Sequence, residues 1–450
     1  MKNNLLKNKT FLICISIWII VTLARLIPHQ PWFDESFAWQ LASHFKFGHI
    51  LESLKYEGHF FVWYFLLFPF AKLNLFYPYS MLFMNWLFGF GAVIVMWKYA
   101  PFKDYLKVLI MFSFPFFAYY PIIARCYAIG ILLLFVLCAM YKEKTKHPIK
   151  YALVIFLCAN TSVMAAIGAL FFALILFYEL AKQKPWKDFK YCSGIAMICV
   201  SVMAIQLARI EMINVMPKML EGIKLGTILD VFFLPQAINL FLLVLFAIGF
   251  VVGLFKDKKA LLFLAGTYAT LLYFFKFWYA GEFWHYFFFY VYLICACWIG
   301  FEYNFVEIKF KKLVTVLLCC VSLLFVFDKH YKERRIYHST SRDMANFVKE
   351  HKNDHIIFFH PVFITMLPYF GNERYDIKTS FDGNGKIGTE LTFENTIKAI
   401  DVKKQNYGFI YATCAEISGF ETEFLKIKFS VEQNFDNKFC AYKIDIIGKK

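Results

Sequence analysis

Apolar runs long enough to cross a hydrocarbon core recur from the N-terminus to about Phe327 and then stop. A soluble core cannot accommodate that many uninterrupted apolar segments. The pattern therefore commits residues 1–329 to a membrane domain and leaves 330–450 as a small polar tail domain. The chain is 60% hydrophobic and 21% aromatic, in keeping with that division. Candidate spans cover 11–27, 79–97, 108–120, 126–141, 151–160, 163–180, 191–207, 237–255, 260–277, 286–301 and 313–327. That is about 11 crossings, several of them short. The expected fold is a polytopic α-helical membrane protein with a small C-terminal α/β domain.

The segment 60–77 is also apolar, and it decides the topology. If it lies in the membrane plane or re-enters, all the lysine clusters fall on one side: Lys2/Lys7/Lys9, Lys98/Lys103/Lys107, Lys142/Lys144/Lys146/Lys150, Lys182/Lys184/Lys187/Lys190, Lys256/Lys258/Lys259 and Lys309/Lys311/Lys312. If it crosses, the first cluster is separated from the rest. The positive-inside rule favours the in-plane arrangement. It puts the N-terminus in the cytoplasm and the tail outside the plasma (inner) membrane, provided that 160–163 is a true turn. The N-terminal segment has a basic start and no small-residue cleavage site, so it reads as an uncleaved first span. The net charge of +16 comes largely from these loop lysines. No folded module with a basic face is evident, which argues against a nucleic-acid partner.

The first outer loop with its juxtamembrane helices occupies 28–78. It opens with the acidic pair Asp34-Glu35 directly after the first span. Phe33, Phe37, Leu41 and Phe45 repeat every four residues and predict an amphipathic helix lying on the membrane surface along that stripe. One carboxylate of the pair could act as general base on an acceptor hydroxyl or amine, or bind a divalent cation. The alternative is a pair of acids complementing a helix dipole. Glu57 and His59, in YEGHFFVWYFLL, are candidates for a metal or a phosphate, or form an interfacial polar edge. Arg125 sits between two spans with no acid nearby, placed to bind a lipid phosphate bidentately or to snorkel. Glu282 and His285 form a weaker outer polar island among interfacial aromatics, and Arg209 with Glu211 a weaker one still.

In the tail, SRDMANFVKEH reads as a helix, HIIFFHP as a strand, ENTIKAIDVKKQN as a helix, and YGFIYATC, FLKIKFSV and FCAYKIDII as strands. It holds no Gly-rich phosphate loop, Ser nucleophile elbow or zinc motif, and reads as a lid or scaffold. Ten of the 12 cysteines fall in or beside the spans without metal-ligand spacing. Cys414 and Cys440 lie in the tail, as a disulfide if the tail is exported or as two free thiols.

An enzyme working on the outer face has no ready nucleotide donor, and the chain has no nucleotide-binding motif. A sugar carried on a polyprenyl phosphate brings its own leaving group. Such an enzyme needs a base for the acceptor and positive charge for the departing phosphate. The order of first span, DE pair, amphipathic helix, EGHFFVWYFLL and PFFAYYPIIARCYAIGILLLF resembles the GT-C superfamily of integral-membrane glycosyltransferases. The nearest branch is that of the bacterial protein O-mannosyltransferases and the lipid A aminoarabinose transferase. Gly58-His59-Phe60-Phe61-Val62-Trp63-Tyr64 stands where those relatives often read Gly-His-Pro-Pro-Leu-Tyr-Tyr. Ala124-Arg125-Cys126-Tyr127 matches their Ala-Arg-x-Tyr element. The likeness covers about the first 180 residues by motif and the later spans by architecture.

The resemblance implies transfer of one sugar from a polyprenyl-phosphate donor, with inversion, to an extracytoplasmic glycolipid, surface polysaccharide or protein. It makes Asp34 the catalytic carboxylate and Glu35 its neighbour in the motif. It places Glu57 and His59 at the donor phosphate or a metal, and Arg125 at the lipid phosphate. No nucleotide or organic cofactor is expected, and a divalent cation stays an open alternative. The chain departs from the pattern in lacking the prolines after His59, in carrying Ile123 where an acid is frequent, and in reading ANTSVM where a later span often begins with a His. The rival readings are a transporter or flippase of lipid-linked sugars and a non-catalytic membrane assembly protein.

Overall fold

The computed structural model describes residues 5–44, 54, 59–183, 186–208, 258–279, 281–302, 308–326, 339–358, 363–371, 373–379, 403–411, 420–421, 425–435 and 439–449. Among them, six helices are long and apolar enough to cross a membrane. They are α1 (Lys9–Leu26), α4 (Tyr79–Tyr99), α8 (Val163–Gln183), α9 (Trp186–Ala208), α10 (Lys258–Phe277) and α11 (Phe283–Glu302). The shorter helices are α2 (Phe33–His44), α3 (Phe61–Lys72), α5 (Asp104–Met111), α6 (Tyr127–Met140) and α7 (Pro148–Ala159). The 19-residue α12 (Ile308–Val326) follows α11. The protein is thus a helical membrane protein.

The chain divides into two compact units. The first comprises 1–28, 44–69 and 79–335; the second comprises 29–43, 70–78 and 336–450.

In the membrane unit, α11 is its most enclosed span, buried along its whole apolar length. Neighbouring helices approach closely where glycine permits. A Cβ on Gly130 would meet Ala165 Cβ at 2.9 Å and Thr161 Oγ1 at 3.0 Å, so α6 packs tightly against the turn between α7 and α8. Residues 160–162 are that turn, as the topology required. At about 1.5 Å per residue, the 12-residue α3 and α7 are each about 18 Å long, both short of a hydrocarbon core. The expected span over 108–120 is not a single helix. α5 ends at Met111, and a π-helical turn, Pro115–Tyr119, follows. Pro115 lacks the N–H that would continue the α ladder, and the Ser113 hydroxyl bonds back to the Ile110 carbonyl at 2.7 Å. The expected span at 237–255 lies outside the described residues.

Lys144 (2% exposed side chain) lies 3.0 Å from the Glu179 carboxylate, which also pairs with Lys259. Neutralising that shared carboxylate removes a counter-charge from a buried ammonium, which keeps its bond to the Tyr141 carbonyl at 3.1 Å. Glu179→Gln should destabilise the membrane unit by about 2–3 kcal/mol, read as a lowered Tm of the purified protein.

The tail holds α13 (Ser341–Glu350), β1 (His355–Phe358), α14 (Phe363–Phe370), β2 (Ile377–Thr379), β3 (Asn406–Tyr411), β4 (Phe420–Glu421), β5 (Leu425–Phe435) and β6 (Phe439–Lys449). They build a mixed six-stranded sheet of order β2-β1-β3-β6-β5-β4. β1 is parallel to β2 and β3; the other pairs are antiparallel. Ser341, Met344, Ala345 and Val348 make the buried stripe of α13, at the helical period. They pack with Met366 and Phe370 of α14 and with Tyr407 and Phe409, which alternate onto one face of β3. β1, β3, β5, β6 and α13 fall where the sequence places them, whereas α14, β2 and β4 were not anticipated. Most of the helix expected at 394–406 lies outside the described residues; its described end is a turn leading into β3. Cys440, buried in β6, is disulfide-bonded, and Cys414 lies outside the described residues.

Asp376, at the start of β2, bridges Lys404 Nζ at 2.6 Å and His355 Nδ1 at 3.1 Å. The Lys404 hydrogen bond, helped by His355 and opposed by desolvation, holds the Asp376 carboxyl below its ordinary value. A depressed carboxylate stabilises above its unfolded value and loses that contribution as pH falls through the folded one. Lys404→Met should shrink this acid-labile increment, which is below about 1 kcal/mol for so exposed a pair. Amide exchange of β1 and β2 in the full chain, followed from about pH 6 to about pH 3, reads it.

Candidate functional site

Three of the sequence candidates converge in the membrane unit. His59 enters just ahead of α3, Arg125 from the irregular segment between α5 and α6, and His285 from the first turn of α11. His59 forms an isolated antiparallel bridge with Ser162, and Val62 donates its N–H to the Asn160 carbonyl at 3.1 Å. The ANTSVM turn is thus the seat of His59. Asn85 of α4 donates to the carbonyls of Tyr120 at 2.8 Å and Ile123 at 3.0 Å. It satisfies acceptors in a non-helical stretch and so holds the segment that carries Arg125. The Tyr120 phenol donates to the Trp284 carbonyl at 2.8 Å, fixing the start of α11.

Tyr127 stands between the two histidines, 2.7 Å from His285 Nε2 and 3.1 Å from His59 Nε2. The Glu282 backbone N–H points at His285 Nδ1 at 2.8 Å, so that nitrogen is unprotonated and the ring carries its proton on Nε2. The Trp284 indole N–H, 3.1 Å from the same Nε2, is a second fixed donor. A neutral imidazole accepts at one nitrogen only, and the shorter backbone contact assigns which. In the tautomer that the backbone contact selects, His285 Nε2–H donates to Tyr127 and Tyr127 O–H to His59 Nε2, and the Trp284 N–H faces a protonated nitrogen. His59 is left with its proton on Nδ1, an enclosed atom with no hydrogen-bond partner. Burial, then the Arg125 charge and His285, hold the His59 imidazole well below its usual range, so it is neutral at physiological pH. Arg125 is itself 4% exposed.

A neutral N–H donor beside a buried guanidinium suits phosphate oxygens. A divalent cation would also call on Glu57, which lies outside the described residues. His59 Nε2 is already engaged by Tyr127, and Arg125 repels a second cation. Among the described residues no three His, Cys, Asp or Glu side chains converge.

The acidic pair belongs to the second unit. Glu35 is fully buried and lies 3.0 Å from His29 Nε2, itself 8% exposed. Its Oε2 also accepts the Trp32 backbone N–H at 3.1 Å. That is the returning half of a capping box, with Glu35 in the first turn of α2. Asp34, one residue earlier, is half-buried. The face that α2 buries within the protein runs through Glu35, Ala38, Trp39 and Ala42, with Trp39 packed on Tyr77 at 5.0 Å between ring centroids. Phe33, Phe37 and Leu41 of the expected membrane stripe are half-buried, and Phe45 lies outside the described residues.

Glu57, Arg209 and Glu211 lie outside the described residues. Glu282 is exposed and contributes its backbone N–H. Tyr127 as the link between the histidines, and Asn160 and Ser162 as the seat of His59, were not anticipated. Tyr127 lies two residues from Arg125, but nothing in the spacing tied it to His285, 158 positions on. No protein-family model matches the chain, and no curated protein is significantly similar to it.

Proposed function

We propose that this chain is an integral-membrane glycosyltransferase of the GT-C type. It moves a sugar from a polyprenyl-phosphate donor to an acceptor on the outer face of the plasma membrane. The observation that carries the reading is the convergence of His59, of Arg125 with Tyr127, and of His285, which come from three chain segments and offer neutral and cationic donors fit for a phosphate. A half-buried carboxylate at Asp34, whose neighbour Glu35 is held in a capping box, supports the role of Asp34 as base. The disulfide at Cys440 supports an exported tail, since structural disulfides persist in oxidising compartments.

In this mechanism the acceptor hydroxyl loses its proton to Asp34 as its oxygen attacks the anomeric carbon. The bond from that carbon to the phosphate oxygen breaks, and polyprenyl phosphate leaves with the electron pair. The leaving phosphate gains negative charge that calls for donors of the kind Arg125 and His59 offer. The anomeric configuration inverts because a single displacement occurs. About 11 crossings, an N-terminus in the cytoplasm and an extracytoplasmic tail complete the proposed topology.

The test uses membranes from cells that express the chain and from cells that lack it, supplied with radiolabelled polyprenyl-phosphate sugars. Label should move to a product of new mobility only where the chain is present. Label that stays on the polyprenyl carrier with every donor contradicts the reading.

A further inference from the structure

The first turn of α13 lacks a side-chain cap from its own Thr340. Gln30, about 310 residues earlier, supplies it: Gln30 Oε1 accepts the Arg342 backbone N–H at 2.7 Å, while Gln30 Nε2 donates to Asp343 Oδ2 at 3.2 Å. Beside it the Ser341 hydroxyl donates to the Pro31 carbonyl at 3.1 Å in a buried contact. The far side of the acidic pair is held in the same way. The Ser36 hydroxyl is 3.0 Å from the Tyr77 phenol, and the Tyr77 ring meets Trp39 and, edge-on, Tyr369 of α14, each at 5.0 Å. All of these residues belong to one compact unit. Asp34 therefore sits between two points at which the chain is fastened to the tail, one directly at 30–31 and one at 36–39 through Tyr77.

We infer that the C-terminal domain sets the position of Asp34, and that Gln30, capping α13 from the first outer loop, is a positioning residue for it. The inference rests on the reading of Asp34 as the catalytic carboxylate. The physical reason is steep: a catalytic group displaced by about 1 Å can cost about a hundredfold in rate. A free loop has no means of holding a half-buried carboxylate to that tolerance. The tail reaches no reacting atom in this account; it acts through the backbone on either side of Asp34.

The test uses the full chain in lipid nanodiscs with two variants, Gln30→Ala and the double change Gln30→Glu with Asp343→Asn. The double change reverses donor and acceptor: the introduced carboxylate accepts from Arg342 N–H and from the introduced amide. Two readouts are taken, amide exchange over 29–43 and the kcat and donor KM of transfer. Gln30→Ala should speed exchange over 33–43 and lower kcat about tenfold or more, with donor KM unchanged. The double change should restore both. Unchanged exchange in Gln30→Ala overturns the fastening itself, whatever the activity. Faster exchange with unchanged kcat overturns the positioning role. Faster exchange in a protein whose wild type transfers no sugar overturns the role of Asp34 on which positioning depends.

Discussion

Asp34→Asn should lower sugar transfer by about a thousandfold while leaving the protein folded and inserted. The substitution keeps the size of the side chain and its hydrogen-bonding capacity, and removes the ability to take a proton. Nothing in the capping of α2 depends on it, since Glu35 closes the capping box and pairs with His29. A base in this position contributes through the proton it accepts as the acceptor oxygen attacks, so the loss appears in kcat. Circular dichroism and gel filtration of the purified variant should match wild type. A variant that still transfers at more than about a tenth of the wild-type rate removes Asp34 as the base.

Tyr127→Phe should raise donor KM about tenfold or more, with the smaller effect on kcat. The change deletes one oxygen and leaves both histidines and Arg125 in place. Two buried nitrogens then lose a partner: His285 Nε2–H has no acceptor and His59 Nε2 no donor. With nothing fixing its tautomer, His59 no longer presents Nδ1–H reliably. Leaving a buried polar group unmatched costs about 1–3 kcal/mol, so a lowered Tm should accompany the kinetic change. Initial rates over a range of donor concentrations separate the two constants. An unchanged donor KM would mean that the His59–Tyr127–His285 chain does not face the donor.

The helical membrane character of the chain was legible because hydrophobic length is a strong, local signal. The α13 helix and the long strands of the tail were legible for the same reason, their periods being plain in the sequence. The 108–120 segment was misread because an apolar run does not reveal that Ser113 and Pro115 break the ladder within it. On α2 the protein-facing row Ala38, Trp39 and Ala42 was not legible, because Trp39 packs on Tyr77 and no local pattern encodes that partner. At the site, His59, Arg125 and His285 were each visible as polar residues in apolar surroundings. Their grouping depends on Tyr127, on Asn85 and on the 160–162 turn, which are contacts between distant segments. The role of Gln30 was invisible for the same reason: a loop glutamine is ordinary until the helix it caps is seen.

The most direct test of the central claim is single-turnover 31P NMR of the purified chain in nanodiscs loaded with a polyprenyl-phosphate sugar and an acceptor extract. The account predicts that the donor phosphodiester signal is replaced by a polyprenyl phosphomonoester signal in wild type. It also predicts that the conversion is lost in Asp34→Asn. A phosphodiester that persists unchanged in wild type with every donor tried, including donors accessible on the outer leaflet, would contradict it.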